Sequence, residues 1–188
     1  MNTKDIILSK AKKLYSQNVV FSMRQLANAC GVGISVLYYH FKDKDELLKI
    51  AFDTTNTTLG TKRSQLPVTI DPDRMLAQRI DFQLEHAEDI MFVLKYYLAY
   101  RKTFQKNPNG YIPEKGYLHI QEVLKEGVRQ KKFKIYNIEH DAKVITHAIN
   151  GFILEYYPDI PVRKKRKELV DMICSFLLRA LKNTQLDK

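Results

Sequence analysis

The stretch Ser22-Met-Arg-Gln-Leu-Ala-Asn-Ala-Cys-Gly-Val-Gly-Ile-Ser-Val-Leu-Tyr-Tyr-His-Phe-Lys-Asp-Lys44 decides how the rest of the chain is read. It packs two short helical patterns around a glycine turn. Ser22 offers a hydroxyl to an orphan backbone N–H at a helix start, and Gln25, three residues on, completes a capping box. Met23, Leu26, Ala27 and Cys30 recur at i, i+3, i+4 and i+7 and form one apolar face. Gly31 then supplies the position at which the chain turns. After Val32 and Gly33, a second pattern sends Leu37 and Phe41 to the same core and leaves Ser35, Val36, Tyr38 and Tyr39 largely outward. Two short helices crossed at a tight turn form the unit in which the second helix enters a DNA major groove and the first crosses the backbone.

Outward from this unit, Lys10-Ala11-x-x-Leu14-Tyr15 precedes it, and Ala27, Gly31, Val32, Leu37, Tyr38, His40, Phe41, Lys44 and Leu47 run through it in a fixed register. In that register roughly the first 50 residues resemble the TetR family of bacterial repressors, whose DNA-binding region carries Ala-x-x-x-Gly-Val and then Leu-Tyr-x-His-Phe-x-x-Lys-x-x-Leu. The resemblance implies an all-α fold. A three-helix helix-turn-helix domain over 1–47 would lead through a linking helix, about 44–60, into a helical regulatory and dimerisation domain over 61–188, about nine helices in all. It also implies a homodimer on palindromic double-stranded DNA, acting as a repressor and released by a small-molecule effector.

Site residues follow from the same resemblance. Arg24 matches a position that reaches a base edge or a phosphate, and Tyr38, Tyr39 and His40 match positions on the phosphodiester backbone. Lys44, at the start of the next helix, is expected to join the helix N-terminus in holding a phosphate. His40 has two readings: a phosphate donor, or a lock on the recognition helix. The reading face comprises Gly33, Ile34, Ser35 and Val36, where relatives commonly carry longer polar or basic residues at the first two places. Hydrogen-bonded readout is therefore poorer here, and Ile34, Ser35 and Val36 are expected to read by apolar and shape contact. Ile34 has a second reading too, because Ile34, Leu37 and Phe41 at i, i+3, i+7 turn it into the core.

Composition is compatible with this. The chain has 188 residues with only 7 Gly and 6 Pro, which favours long uninterrupted helices. Its net charge of +10 favours a polyanionic partner, since basic side chains that neutralise phosphates release counterions. Residues 1–50 hold eight basic and four acidic side chains, so +6 of the charge lies elsewhere. Much of that comes from Arg163-Lys164-Lys165-Arg166-Lys167, read as a solvated loop and helix start after Pro158 and Pro161. No apolar run approaches the roughly 20 residues of a membrane span and no secretory h-region opens the chain, so a cytoplasmic protein with no membrane partner is expected. Cys30 and Cys174 sit in apolar stripes far apart and read as free thiols.

Downstream, Asp43 can cap a helix that fades over Thr54 to Thr61, and Gly60 to Pro72 reads as the linker. From Asp71-Pro72-Asp73 a long helical pattern runs to about Phe104, broken near His86 to Asp89. Lys106-Asn107-Pro108-Asn109-Gly110 and Pro113 interrupt it, and further helices span about 114–131, 138–157 and 163–181. The last two carry broad apolar faces. Phe152, Met172, Ile173, Phe176, Leu177 and Ala180 are the candidate dimer interface, though the same stripes also suit a monomer core. In the resembled family this region encloses an effector cavity, for which Phe82, Phe92, Tyr96, Tyr100, Tyr117, His147, Phe152 and Tyr156 are the candidate lining.

Catalysis is disfavoured. Glu85, His86 and Asp89 can share a helix face, and His140 and His147 lie two turns apart, but neither group has a recognised metal spacing, and no phosphate loop or nucleophile elbow accompanies them. No cofactor or metal is expected, though a metal-sensing site drawing on His86, His119, His140 and His147 is a further reading. A constitutive or architectural DNA-binding protein without a small-molecule ligand is the alternative to the ligand-responsive regulator.

Overall fold

In the computed structural model, which describes residues 2–67, 71–106, 117–160 and 162–183, every regular element is a helix. These are α1 (Thr3–Ser16), α2 (Met23–Cys30), α3 (Ile34–His40), α4 (Lys44–Ser64), α5 (Pro72–Glu85), α6 (Ala87–Ala99), α7 (Arg101–Gln105), α8 (Leu118–Arg129), α9 (Ile138–Tyr156) and α10 (Arg163–Asn183). The all-α class read from the sequence is found, with ten helices among the described residues rather than about nine. The additional one is α7, split from the end of α6 at Tyr100. The expected break near His86 is present, where His86 closes α5. The expected interruption at Asn107 to Gly110 and Pro113, residues 114–116 and Pro161 lie outside the described residues.

Contacts divide the chain into two units. One holds α1 to α4 with α6 and α7, and the other holds α5 with α8 to α10. The first unit therefore includes Glu88 onward, a segment that the sequence reading assigned to the regulatory region. Within it, α1 packs on α2 and α4, and α2 packs on α3. Ile7, Ala11, Leu26, Leu37, Phe41 and Leu47 are its buried centre. The linking helix α4 is longer than its composition suggests, running to Ser64 through the Thr-rich stretch. Thr57 and Thr61 donate their hydroxyls to the carbonyls of Asp53 and Thr57 at 3.0 and 3.1 Å, so these side chains join the helix's own ladder instead of competing with it.

The second unit is built on α5, which packs against α10, α8 and α9. Asp71 caps α5 by accepting from the Asp73 N–H at 3.3 Å, and Pro72 occupies the first turn, where no N–H is needed. Asp71 also accepts from Lys132 at 2.9 Å, which pulls its carboxyl below the ordinary range. The basic run opens α10. Arg166 reaches Asp81 at 3.0 Å and Glu85 at 3.5 Å on α5, and Lys165 lies over the Tyr156 ring. Cys30 is half-buried and Cys174 buried, both free thiols.

Gly127 in α8 is fixed by a close approach. A Cβ added there would lie 1.9 Å from a ring carbon of the buried Phe133. Alanine would gain about 1 kcal/mol of helix propensity, but overpacking a core costs about 1–3 kcal/mol. Gly127→Ala is therefore expected to lower the urea midpoint, and an unchanged or higher midpoint would refute this packing argument.

Candidate nucleic-acid interface

Helix α2 starts at the box read from the sequence. Gln25 N–H donates to the Ser22 hydroxyl at 3.2 Å, and the Gln25 carboxamide oxygen accepts from Ser22 N–H at 2.8 Å. It ends at Gly31, whose φ of 68° is the left-handed conformation that a side chain would strain. The chain then turns into α3 with Gly33 as its N-cap. Leu37 and Phe41 are sealed in the core at 0% and 1% exposure, so the opposite side of α3 is displayed. Tyr39 is 85% exposed, Tyr38 and Ser35 are exposed, and Arg24 and Gly33 are exposed beside them. Ile34 and Val36 are half-buried, so Ile34 keeps part of its surface for a partner while leaning on the core.

Two expected backbone contacts have local work within the chain. His40 is half-buried with its ring 5.0 Å from that of Tyr39 and 6.0 Å from that of Phe41, the surroundings of a packing residue. Lys44 donates its ammonium to the Phe21 carbonyl at 2.7 Å and lies 4.3 Å from the centre of the Phe21 ring. It thus pins the segment ahead of α2 to the start of α4, with further N–H donors on the same ammonium. The first turn of α4 is capped by Asp43, which accepts from Glu46 N–H at 2.8 Å.

Sequence reasoning missed what holds this unit from behind. Asp89 on α6 pairs with Lys12 on α1, the Lys95 ammonium donates to the Ser16 carbonyl at the end of α1, and the Tyr100 hydroxyl donates to Asp45 on α4 at 2.7 Å. Between these ties, Phe52 of α4 meets the Tyr96 ring at 4.5 Å and the Phe104 ring at 5.4 Å, and Tyr15 of α1 meets Phe92 edge-on at 5.6 Å. Burial, then the neighbouring Asp53 and Asp45, pushes the Tyr96 hydroxyl up to about 12. Burial and the bond to Asp45 push Tyr100 up as well, so it stays a donor at neutral pH. Asp45 follows Lys44 directly, so this tie ends at the root of the recognition unit. A cavity of about 170 Å³ lies alongside, between α1 and α4, with Lys12, Thr55 and Asp89 in its wall.

The other expected residues distribute as follows. Of the aromatic candidates, Phe92, Tyr96 and Tyr100 belong to this first unit, as the core of the α6 attachment. Phe82, Tyr117, Phe152 and Tyr156 belong to the second; Phe82 is buried against His86, and Phe152 stacks on Tyr156. His147 is exposed. In α10, Ile173 and Leu177 are buried within the single chain, whereas Met172, Phe176 and Ala180 face solvent. Asp89 pairs with Lys12, His140 is exposed beside Asp141, and among the described residues no three histidine, cysteine or carboxylate side chains come together in a way that could hold a metal ion.

Residues 7–50 match the family model described as bacterial regulatory proteins, tetR family. Comparison with the curated proteins finds no significant relative. Among solved structures the fold is similar to that of the TetR-family transcriptional regulator PfmR from Thermus thermophilus, at 22% identity and a TM-score of 0.67 over 92% of this chain and 97% of that one. It is also similar to the ketosteroid transcriptional regulator KstR2 of Mycobacterium tuberculosis, at 13% identity and 0.71 over 97% and 96%. A transcriptional regulator from Cytophaga hutchinsonii matches at 17% identity and 0.60 over 95% and 98%.

The two basic and aromatic positions separate in a folding experiment. Lys44→Ala removes a charge-assisted hydrogen bond and a ring contact and is expected to destabilise the protein by about 1–2 kcal/mol. Tyr39→Ala, on the exposed side of α3, should stay within about 0.5 kcal/mol of the parent. Equal urea midpoints for the two variants would sink the pinning role of Lys44.

Proposed function

We propose that this member of the TetR family of bacterial regulators is a repressor that binds a palindromic operator as a homodimer and is released by a small-molecule effector. The observation that carries the reading is the pair α2 and α3: a capped helix, a left-handed glycine turn and a second helix whose inner side is buried and whose outer side is displayed. The displayed face carries Ser35, Tyr38 and Tyr39 with Arg24 beside it, a mixture that suits phosphate contacts around a small reading surface. In this reading Tyr39, Tyr38 and Arg24 seat the protein on the backbone, and Ile34 with Val36 touches base edges.

Dimerisation is supported by apolar surface left on the last two helices. On α9, Val144, Ala148, Gly151 and Leu154 recur along one exposed face, and a Cβ at Gly151 would meet nothing within 4 Å. On α10, Phe176 is 64% exposed with Met172 and Ala180 in line with it. Small residues on α9 allow close approach and large ones on α10 supply the area, the composition of a helical interface. A two-fold dimer presents two copies of α3 to half-sites one helical turn apart, about 34 Å. Effector binding then favours a conformer whose two copies are wrongly spaced.

The test is a gel-shift and footprinting experiment on DNA flanking the protein's own gene. A protected palindrome supports the reading, and protection without sequence preference would move the protein to the architectural class. Ile34→Ala should change the ranking of operator variants, and an unchanged ranking would remove it from base readout. Phe176→Glu places a charge in each half of the interface and should shift sedimentation toward the monomer while cutting operator affinity at least about tenfold. A dimeric Phe176→Glu variant with full affinity would remove α10 from the interface.

A further inference from the structure

The geometry points to a ligand site inside the first unit: the cavity between α1 and α4 takes a small, neutral, polyhydroxylated molecule, and Thr54, Thr55 and Thr58 bind its hydroxyls. This site is separate from the effector cavity expected in the second unit. The cavity, of about 170 Å³, lies wholly within the first unit, and Asp89 of α6 adds to its wall. The observation is a difference within one threonine-rich stretch of α4. A helical threonine commonly gives its hydroxyl to a carbonyl of the preceding turn. Thr57 and Thr61 do so. Thr54, Thr55 and Thr58, the three that line the cavity, bond neither that carbonyl nor any other described residue. Thr55 is the decisive one, because it is only 8% exposed and a buried hydroxyl without a partner is costly. Its oxygen is not sealed from solvent, so the cavity is where its partner belongs. Ser9 of α1 adds a fourth hydroxyl to the wall.

The charges in the wall set the ligand as neutral. Lys12 and Asp89 are paired with each other, so an ionic ligand has to break that pair or enter without a counter-charge. Asp5 sits in the first turn of α1, where the helix N-terminus opposes its charge, and it accepts from Asn2 N–H at 3.4 Å. What remains is a set of hydroxyls, each of which both donates and accepts. Their complement is a group that also does both, which a carboxylate or an ammonium does not. Leu8 and Ala51 supply apolar wall for the carbon skeleton. Size narrows the class further. At about 30 Å³ per molecule the cavity holds the equivalent of about six waters, the bulk of a compact polyol or a single sugar ring. Drug-sized ligands, which take about 300–1,000 Å³, do not fit. A polyol that reproduces the hydrogen bonds of the water it displaces keeps these hydroxyls satisfied.

The test uses the full chain, with ribose, glucose and myo-inositol as probes. Cyclohexanol keeps the inositol ring with one hydroxyl, glucosamine and glucuronate add a charge to glucose, and trehalose is too large for the cavity while matching the general effect of an excluded osmolyte. Calorimetry is expected to show saturable binding of at least one of the three probes, with cyclohexanol, trehalose and the charged sugars at least about tenfold weaker. Thr55→Val keeps the shape and removes the hydroxyl, so it should weaken binding about three- to tenfold while its own melting temperature holds or rises. Thr58→Val, on the exposed part of the same wall, decides the matter if Thr55→Val does not fold. Thr57→Val, whose hydroxyl is already bonded to the Asp53 carbonyl, should leave the affinity unchanged. No saturable binding of any probe means that water alone fills the cavity and overturns the inference. Binding of cyclohexanol, trehalose or a charged sugar as tight as that of the neutral probes overturns it too, as does an equal loss in Thr57→Val or no loss in Thr55→Val and Thr58→Val. Binding is read on the DNA-free protein, so the outcome is independent of the repressor reading.

Discussion

Burial of Leu37 and Phe41 is the constraint on which the DNA-facing surface depends. Helix α3 has seven residues, well below the length at which a helix persists by itself in water, and its N-cap glycine offers no side-chain bond. What holds it is its inner face. Burying these two side chains contributes about 1.5–3 kcal/mol each, enough to order a helix of this length against the core of the first unit. The geometry of the exposed side follows from that anchoring and from the left-handed turn at Gly31, which sets how α3 leaves α2. Lys44 then ties the start of α4 back to Phe21, so the segments before α2 and after α3 are pinned to each other. A short helix is thereby held in place by contacts made away from its exposed side.

Much of this was legible in the sequence because it is local. The Ser22 and Gln25 box, the glycine turn, and the i, i+4 pair of Leu37 and Phe41 are interactions between near neighbours, and their spacing states them directly. The α6 attachment was not legible for the opposite reason. Phe92, Tyr96 and Tyr100 recur at i+4 and announce an apolar stripe, but periodicity does not say what a stripe faces, and Phe92 and Tyr96 meet Tyr15 and Phe52. The pairs Lys12 with Asp89 and Tyr100 with Asp45 join residues 77 and 55 positions apart, a separation no local pattern encodes. Lys44 has a second task that its register does not state, since its ammonium also bonds the Phe21 carbonyl, a backbone atom 23 positions away. Ile173 and Leu177 share a helix with Phe176 and Ala180, and only the packing of α10 on α5 separates the inward residues from the outward ones.

The energetic scale of control can be set against these contacts. Moving a two-state population from 99:1 to 1:99 requires a ligand to prefer one state by about 5.5 kcal/mol. Helix α6 is joined to α1 by one ion pair and one ammonium to carbonyl bond, and Tyr100, which follows it, is joined to α4 by one phenol to carboxylate bond, together with the stacked rings. Charge-assisted bonds of this kind contribute about 1.5–3 kcal/mol each, less where water screens them. Together they are of the same scale. The chain enters α6 directly from α5 across His86, and α5 carries the packing of the second unit.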